Sequence, residues 1–395
     1  MKDKKSLNRQ KAIIIGSADV IKLCTIRAVG SFGCDIDVVH IGSNKRVIKP
    51  VDYYSKYVGN YYFCYKSQVV QLLLDKCTCN YTKPVIITLD DYSTYLIDDA
   101  RDDLNSHFLF SHLSTNEPIV EMMNKHLLKM KAAQAGMNVV KGWPILFKDG
   151  VYQIPEGITY PCFVKGLEST YMSKDIQCVC NSENELNNVL ETCKKKYCHS
   201  VYAEEYIQIE KDFGVIGVSN GSKCVIPARA DLLEMGKGST NGVSMLGKIS
   251  SIIDETLSEQ IESLVLDLNY VGIFNIDFVE SKGRVYFVEL NFRFAAYGYA
   301  IYCAGCNIPA LFINTLTHSD MKTIPTTIEG SYYYFNEKIG LINVIERSIS
   351  LSKYKELRKK AIFPMIMKKQ DPKPYWMFLL LNVIRFCKTI RNRYI

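Results

Sequence analysis

One segment constrains this chain more than any other: residues 272–293, GIFNIDFVESKGRVYFVELNFR. Two apolar runs flank Glu280, Ser281, Lys282 and Gly283, a pattern that reads as a strand hairpin. Its acids sit among Ile276, Phe278, Val288 and Leu290 rather than along a polar edge. Side chains at i and i+2 of a strand share a face. Glu289, Asn291 and Arg293 therefore line one surface, and Asp277 faces them from the partner strand. On a surface hairpin such acids are simply solvated. Inside apolar strands a carboxylate is costly unless it is paired or bound to a cation. Two carboxylates and an amide oxygen are hard ligands that suit Mg2+, with Mn2+ as the alternative ion. Arg293 adds a planar cation for phosphate or carboxylate oxygens.

The chain before this hairpin has its own order. Residues 11–16, KAIIIG, read as a buried strand. A helical pattern follows at Val20, Leu23, Ile26, Arg27 and Val29, then a second strand at 36–41. This βαβ opening predicts a parallel sheet covered by helices. Residues 83–89 form another buried strand ending at Asp90 and Asp91, so residues 1–115 are expected to be a small α/β domain. Gly16 alone after the first strand marks a tight turn and is no dinucleotide fingerprint. Pro118 and Gly136 bracket a periodic run, 119–135, read as one helix. Strands are expected at 161–165 and 201–207, a hairpin at 214–218 and 224–228 around Asn220 and Gly221, and a helix at 254–269. There is no internal repeat.

With 395 residues the chain fits two or three packed lobes. Its 14 cysteines are scattered through apolar contexts and read as reduced, small hydrophobes. Cys303 and Cys306 form a lone CxxC with no second pair at zinc spacing. The apolar run after the basic N-terminus is only Ala12 to Ile15, too short for a signal peptide, and no stretch spans a bilayer. The expected compartment is the cytoplasm. Charge is uneven: residues 351–395 carry twelve Lys/Arg against Glu356 and Asp371, a net +10 that leaves −3 for the rest. Two readings of this basic, aromatic tail stand side by side: peripheral contact of 353–395 with an anionic membrane face, or a helical cap on the core. Its aromatic residues do not alternate with Lys/Arg, so nucleic acid is not an expected partner.

The hairpin resembles the C-terminal core of the ATP-grasp superfamily, which ends its nucleotide site on an Asp strand followed by Glu-x-Asn-x-Arg. Asp277, Glu289, Asn291 and Arg293 match in type, order and spacing. Upstream, Lys125 resembles the family's first phosphate-contacting lysine, and Lys165, at the end of Pro161-Cys-Phe-Val, its second. Glu204, Glu205, Tyr206 and Ile207 resemble the interlobe hinge that holds adenine, with Glu204 and Glu205 competing to accept from its amino group. Asp212 falls near the acid that takes the ribose hydroxyls, and residues 165–170 resemble the phosphate-covering loop. The resemblance covers about residues 11–315 and implies a fold class of α/β with α+β grasp lobes. It divides the chain into an N-terminal parallel α/β domain (1–115), a two-lobed ATP-grasp domain (116–320, with lobes 116–207 and 208–320) and a C-terminal extension (321–395).

What the resemblance implies chemically is an ADP-forming ligase using ATP and Mg2+. A carboxylate is phosphorylated to an acyl phosphate and an amine takes the acyl group, with small-molecule acid and amine as partners and a homo-oligomer as an option. The full-length pattern is similar to amino-acid ligases of bacterial envelope assembly such as D-aspartate ligase. The alternatives are a carboxylase-type or carbamoyl-phosphate-type enzyme, or a nucleotide-binding module without catalysis. Arg229 and the 236–242 loop, between hinge and hairpin, are candidates for the substrate side. Arg229 reads equally as a catalytic cation for the carboxylate or acyl phosphate and as a packed strand-end residue.

Overall fold

The computed structural model describes residues 9–17, 19–42, 49–115, 117–168, 176–196, 199–236, 244–251, 253–318 and 323–394. The 236–242 loop from Lys237 on, and Ser169 and Thr170 of the expected phosphate loop, lie outside the described residues.

The opening residues form a four-stranded parallel sheet in the order Val58–Cys64, Asp35–Ile41, Lys11–Gly16, Val85–Thr88. Both faces are covered, which is why KAIIIG is apolar without alternation. Ala12 and Ile14 enter one core, and Ile13 and Ile15 the other. The first of these cores is shared with the C-terminal half of the chain through the helices Asp19–Phe32 and Ile308–Thr317.

A small antiparallel sheet follows, in the order Gly142–Leu146, Ser200–Glu205, Cys162–Gly166, Gln177–Cys180. Its outer face is closed by Leu186, Leu190 and Cys193 of the helix Glu183–Lys195. The third sheet has nine strands. Its central run is Ser244–Ser250, Cys224–Met235, Lys211–Asn220, Tyr270–Ser281, Arg284–Asn291. Short strands from far away in the chain complete it: His112–Leu113, Asn138–Val139, Ser331–Phe335 and Phe363–Pro364.

The run 119–135 is not one helix. It splits into a 3-10 turn, Ile119–Met123, and the α-helix Lys125–Gln134, with Asn124 extended between them. The Asn124 Oδ1 accepts from the amides of His126 and Leu127, at 3.0 and 3.1 Å. A side chain that caps so well starts a helix rather than continuing one. This helix precedes the small sheet in sequence but packs on the nine-stranded one: Leu128 and Ala132 share a core with Phe278, Phe287 and Leu290.

The C-terminal segment is tied down by buried charge. Arg27 Nε lies 2.9 Å from Asp371 Oδ2, and the guanidinium also donates to the carbonyls of Met365, Ile366 and Asp371. Glu337 accepts from the amides of Met365, Ile366 and Met367. The helix Lys373–Tyr394 follows. Among the described residues no helix is long and apolar enough to cross a membrane. The twelve cysteines with described side chains are all reduced.

Candidate nucleotide and metal site

The hairpin has the expected register. Asp277 pairs with Glu289 and Asn275 with Asn291, so the four polar side chains share one face, while Ile276, Phe278, Phe287 and Leu290 face the core behind. Asn291 Nδ2 lies 3.2 Å from Asp277 Oδ2 and 3.5 Å from Glu289 Oε1. Asn275 Nδ2 donates to Asp277 Oδ1 at 3.1 Å. The Tyr297 hydroxyl donates to Asn275 Oδ1. It reaches that position because residue 214 is glycine: a Cβ there would stand 2.3 Å from the Tyr297 hydroxyl.

Burial, then the charge of Glu289, pushes the Asp277 carboxyl up to about 7. The same two causes push Asp212, on the same face, up to about 6. Carboxylates crowded in this way hold either a proton or a cation between them. Among the described residues no three His, Cys, Asp or Glu side chains cluster as a metal site, so a divalent ion here would rest on Asp277, Glu289 and the amide of Asn291. Half a turn of that amide exchanges its nitrogen for oxygen and completes a hard donor set.

Arg293 continues the same face. Its Nη2 donates to Asn291 Oδ1 at 3.2 Å and its Nε lies 2.6 Å from Asp91 Oδ1. Asp91 opens the helix Asp91–Asp99, which follows the fourth strand of the parallel sheet. Asp90 caps that helix and also accepts from the Ser17 amide and hydroxyl, both at 2.9 Å.

The small sheet supplies the opposite wall. Lys165 pairs with Tyr202 and Phe163 with Glu204, so Lys165 and Glu204 share a face, and Glu205 points the other way toward Thr159. Lys165 Nζ lies 2.9 Å from Glu204 Oε1, and Lys129 is bonded to Oε2. Burial works against the Glu204 charge, but Lys165 and Lys129 outweigh it and hold the carboxyl below its usual range. Lys125, at the start of its helix, is also buried. Burial lowers its ammonium, and the Glu289 carboxylate is the largest influence acting the other way. At the hinge, the amides of Glu205 and Tyr206 are committed to the carbonyls of Lys141 and Pro161, at 2.9 and 3.1 Å. The Ile207 amide is the next along the chain.

Asp277, Glu289, Asn291 and Arg293 of the large sheet, Lys165 and Glu204 of the small one, and Lys125 and Lys129 of the helix between them are thus brought to one region. The sequence profile described as ATP-grasp domain matches residues 130–307. Residues 130–307 thus carry an ATP-grasp domain.

Solved structures agree on the fold. The biotin carboxylase domain of the Hydrogenobacter thermophilus 2-oxoglutarate carboxylase, a dimer with MgADP and bicarbonate, overlays with TM-score 0.63 at 16% identity, over 82% of this chain and 73% of that one. An ADP complex of N5-carboxyaminoimidazole ribonucleotide synthetase gives 0.62 at 16%, over 86% and 85%. The L-amino acid ligase of Bacillus licheniformis gives 0.59 at 13%, over 82% and 80%.

One candidate is not brought to this ATP-grasp cleft. Arg229 pairs with Val215, one register row away from the Ala230, Gly214 and Asp277 row, so it projects from the opposite face of the sheet. There its Nε lies 2.6 Å from Asp231 Oδ1 and its guanidinium 3.6 Å from the Phe213 ring centre. Motif reading passed over Asp91, Lys129, Asn275 and Tyr297. Two of these carried a signal: Lys129 lies one helical turn from Lys125, and Asn275 two strand residues from Asp277.

Proposed function

We propose that this chain is an ATP-dependent, ADP-forming carbon–nitrogen ligase that phosphorylates a carboxylate and passes the acyl group to an amine. The observation that carries this reading is the facing of Asp277 and Glu289 on one wall of a cleft that Lys125 and Lys165 also reach. In this reading the units 1–115 and 321–395 frame the grasp domain at 116–320. Asp277, Glu289 and Asn291 would hold Mg2+, or Mn2+ in its place. The metal, when bound, neutralises charge on the transferring phosphoryl group. Lys125 and Lys165 balance the remaining phosphate charge as point cations. Glu204 accepts from the adenine amino group, the hinge at Glu205, Tyr206 and Ile207 borders the base, and Asp212 takes the ribose hydroxyls. Arg293, held by Asp91, stabilises the charge that develops during transfer. The substrate carboxylate attacks the γ-phosphorus, ADP leaves, and the amine then displaces phosphate from the acyl carbon.

At a finer level, the acid is an amino acid and the acceptor a cell-envelope precursor, made in the cytoplasm at the inner membrane face. The support for the membrane face is the helix Lys373–Tyr394. Trp376, Leu380 and Val383 are 65%, 51% and 59% exposed at helical spacing, within a tail of net +10. Vesicles of phosphatidylglycerol should co-sediment the protein, phosphatidylcholine vesicles should not, and W376E/L380E should abolish binding. Equal recovery with both lipids removes the membrane part. A homo-oligomer belongs to the same proposal, and sedimentation velocity tests it.

The activity itself is tested with Mg-ATP, hydroxylamine and a panel of amino acids and small diacids. Hydroxamate and ADP that depend on one acid and vanish in Glu289→Ala support the ligase and name the donor. The second reading is a carboxylase-type enzyme, favoured by the overlay with the biotin carboxylase domain. ADP release that depends on bicarbonate, with no hydroxamate from any acid, would select it.

A further inference from the structure

Lys129 has no place in the scheme above, yet it is among the most buried charges of the cleft. Its side chain is 4% exposed, and its Nζ is bonded to Glu204 Oε2 and lies 3.4 Å from the Val140 carbonyl. It also stands 5.4 Å from the centre of the Tyr202 ring. The helix that carries it belongs to the core of the nine-stranded sheet, and Glu204 belongs to the small sheet, so this ion pair joins the two walls.

Glu204 therefore has two lysine partners, one for each oxygen: Lys165 on Oε1 and Lys129 on Oε2. In the functional reading above, on which this inference rests, Lys165 turns to the phosphates when ATP is bound. A single-partner Glu204 would then be left as a buried carboxylate with no cation. Such a group takes up a proton or rotates away, and loses its value as an acceptor for the adenine amino group. Lys129 removes that conflict. It is not needed as a phosphate contact, because its ammonium is already engaged by Glu204 and by the Val140 carbonyl.

We propose that Lys129 is a positioning residue for base recognition: it keeps Glu204 ionised and oriented toward adenine while Lys165 serves the phosphates. Selectivity for ATP over GTP follows, since guanine presents a carbonyl oxygen where adenine presents the amino group, and a fixed carboxylate repels it.

The test compares the full chain with Lys129→Met, which keeps the stem and removes the charge, and with Lys129→Arg, which keeps the charge. Dissociation constants are measured for ATP, GTP and inorganic tripolyphosphate, alongside thermal unfolding. Lys129→Met should weaken ATP at least about tenfold and narrow the ATP/GTP ratio. Tripolyphosphate should stay within about twofold, and Lys129→Arg should restore most of the ATP affinity. Equal weakening of ATP and tripolyphosphate would make Lys129 a direct phosphate ligand and overturn the proposal. So would an unchanged ATP/GTP ratio in a Lys129→Met protein that still unfolds cooperatively. Failure of the unaltered chain to bind any nucleotide is a separate result, and it removes the functional reading itself.

Discussion

Asp91 Oδ1 stands 2.6 Å from Arg293 Nε across 202 residues of chain. The first turn of a helix on the N-terminal sheet thus sets the direction of a cation in the cleft of another sheet. Asp91→Asn keeps the shape and removes the charge. A charge-assisted hydrogen bond is worth about 1.5–3 kcal/mol, so kcat should fall roughly 10- to 100-fold. The KM for ATP should move much less, because the contact orients Arg293 for the transition state. Steady-state ADP release checks both numbers.

The facing of Asp277 and Glu289 predicts a trade of stability for function. Asp277→Asn removes one of two mutually repelling charges. The metal-free protein should gain about 1 kcal/mol, a rise of roughly 1–2 °C in Tm. The same variant should lose the further rise that Mg-ATP gives the unaltered chain. Differential scanning calorimetry with and without Mg-ATP reads both.

Nucleotide affinity should depend on pH near 8. Burial pushes Lys129 down to about 8, with Glu204 opposing the shift and Lys165 adding to it. The charged groups around it are Glu204, Lys165 and, one turn back on the same helix, Lys125. As pH rises through about 8, Lys129 loses its proton and Glu204 keeps one cation instead of two. ATP binding should weaken along that limb. Lys129→Arg, whose guanidinium stays protonated, should flatten it between pH 7 and 9. Calorimetric titrations across this range give the slopes.

Arg27→Met leaves Asp371 buried with no guanidinium beside it. Removing one partner of a buried pair costs about 3–5 kcal/mol, measurable by urea unfolding. The loss should be local first. Protease should cut near 361–373 in the variant well before the body of the chain is attacked.

The hairpin was legible in the sequence because its chemistry is local: strand alternation alone puts Asp277, Glu289 and Asn291 on one face. Lys165 was legible for the same reason, and alternation also separates Glu204 from Glu205. Of the two readings of Arg229, the one that set it beside the pocket came from a strand ended too early. With the strand stopped at Ala228, Arg229 falls in a loop beside the pocket. In fact the strand runs on to Met235, and the same alternation turns Arg229 to the far face. The break at Asn124 was hidden because hydrophobic periodicity passes through a 3-10 turn almost undisturbed. Asp91 had no sequence signal, since its partner comes from packing between distant elements.

The nine-stranded sheet carries a consequence for how the chain is made. Its strands begin at His112 and end at Pro364, and the Ser331–Phe335 strand pairs with Ser244–Ser250. A ribosome must therefore release the chain through Pro364 before the last edge of this sheet can be laid down. Closing loops of such length is slow, and it leaves the flanking strands exposed while synthesis continues. The acids of the cleft emerge with most of their sheet, but its far edge, Ser331–Phe335 and Phe363–Pro364, is laid down last, so a nascent chain stopped before Ser331 should be a client for chaperones rather than a working fragment.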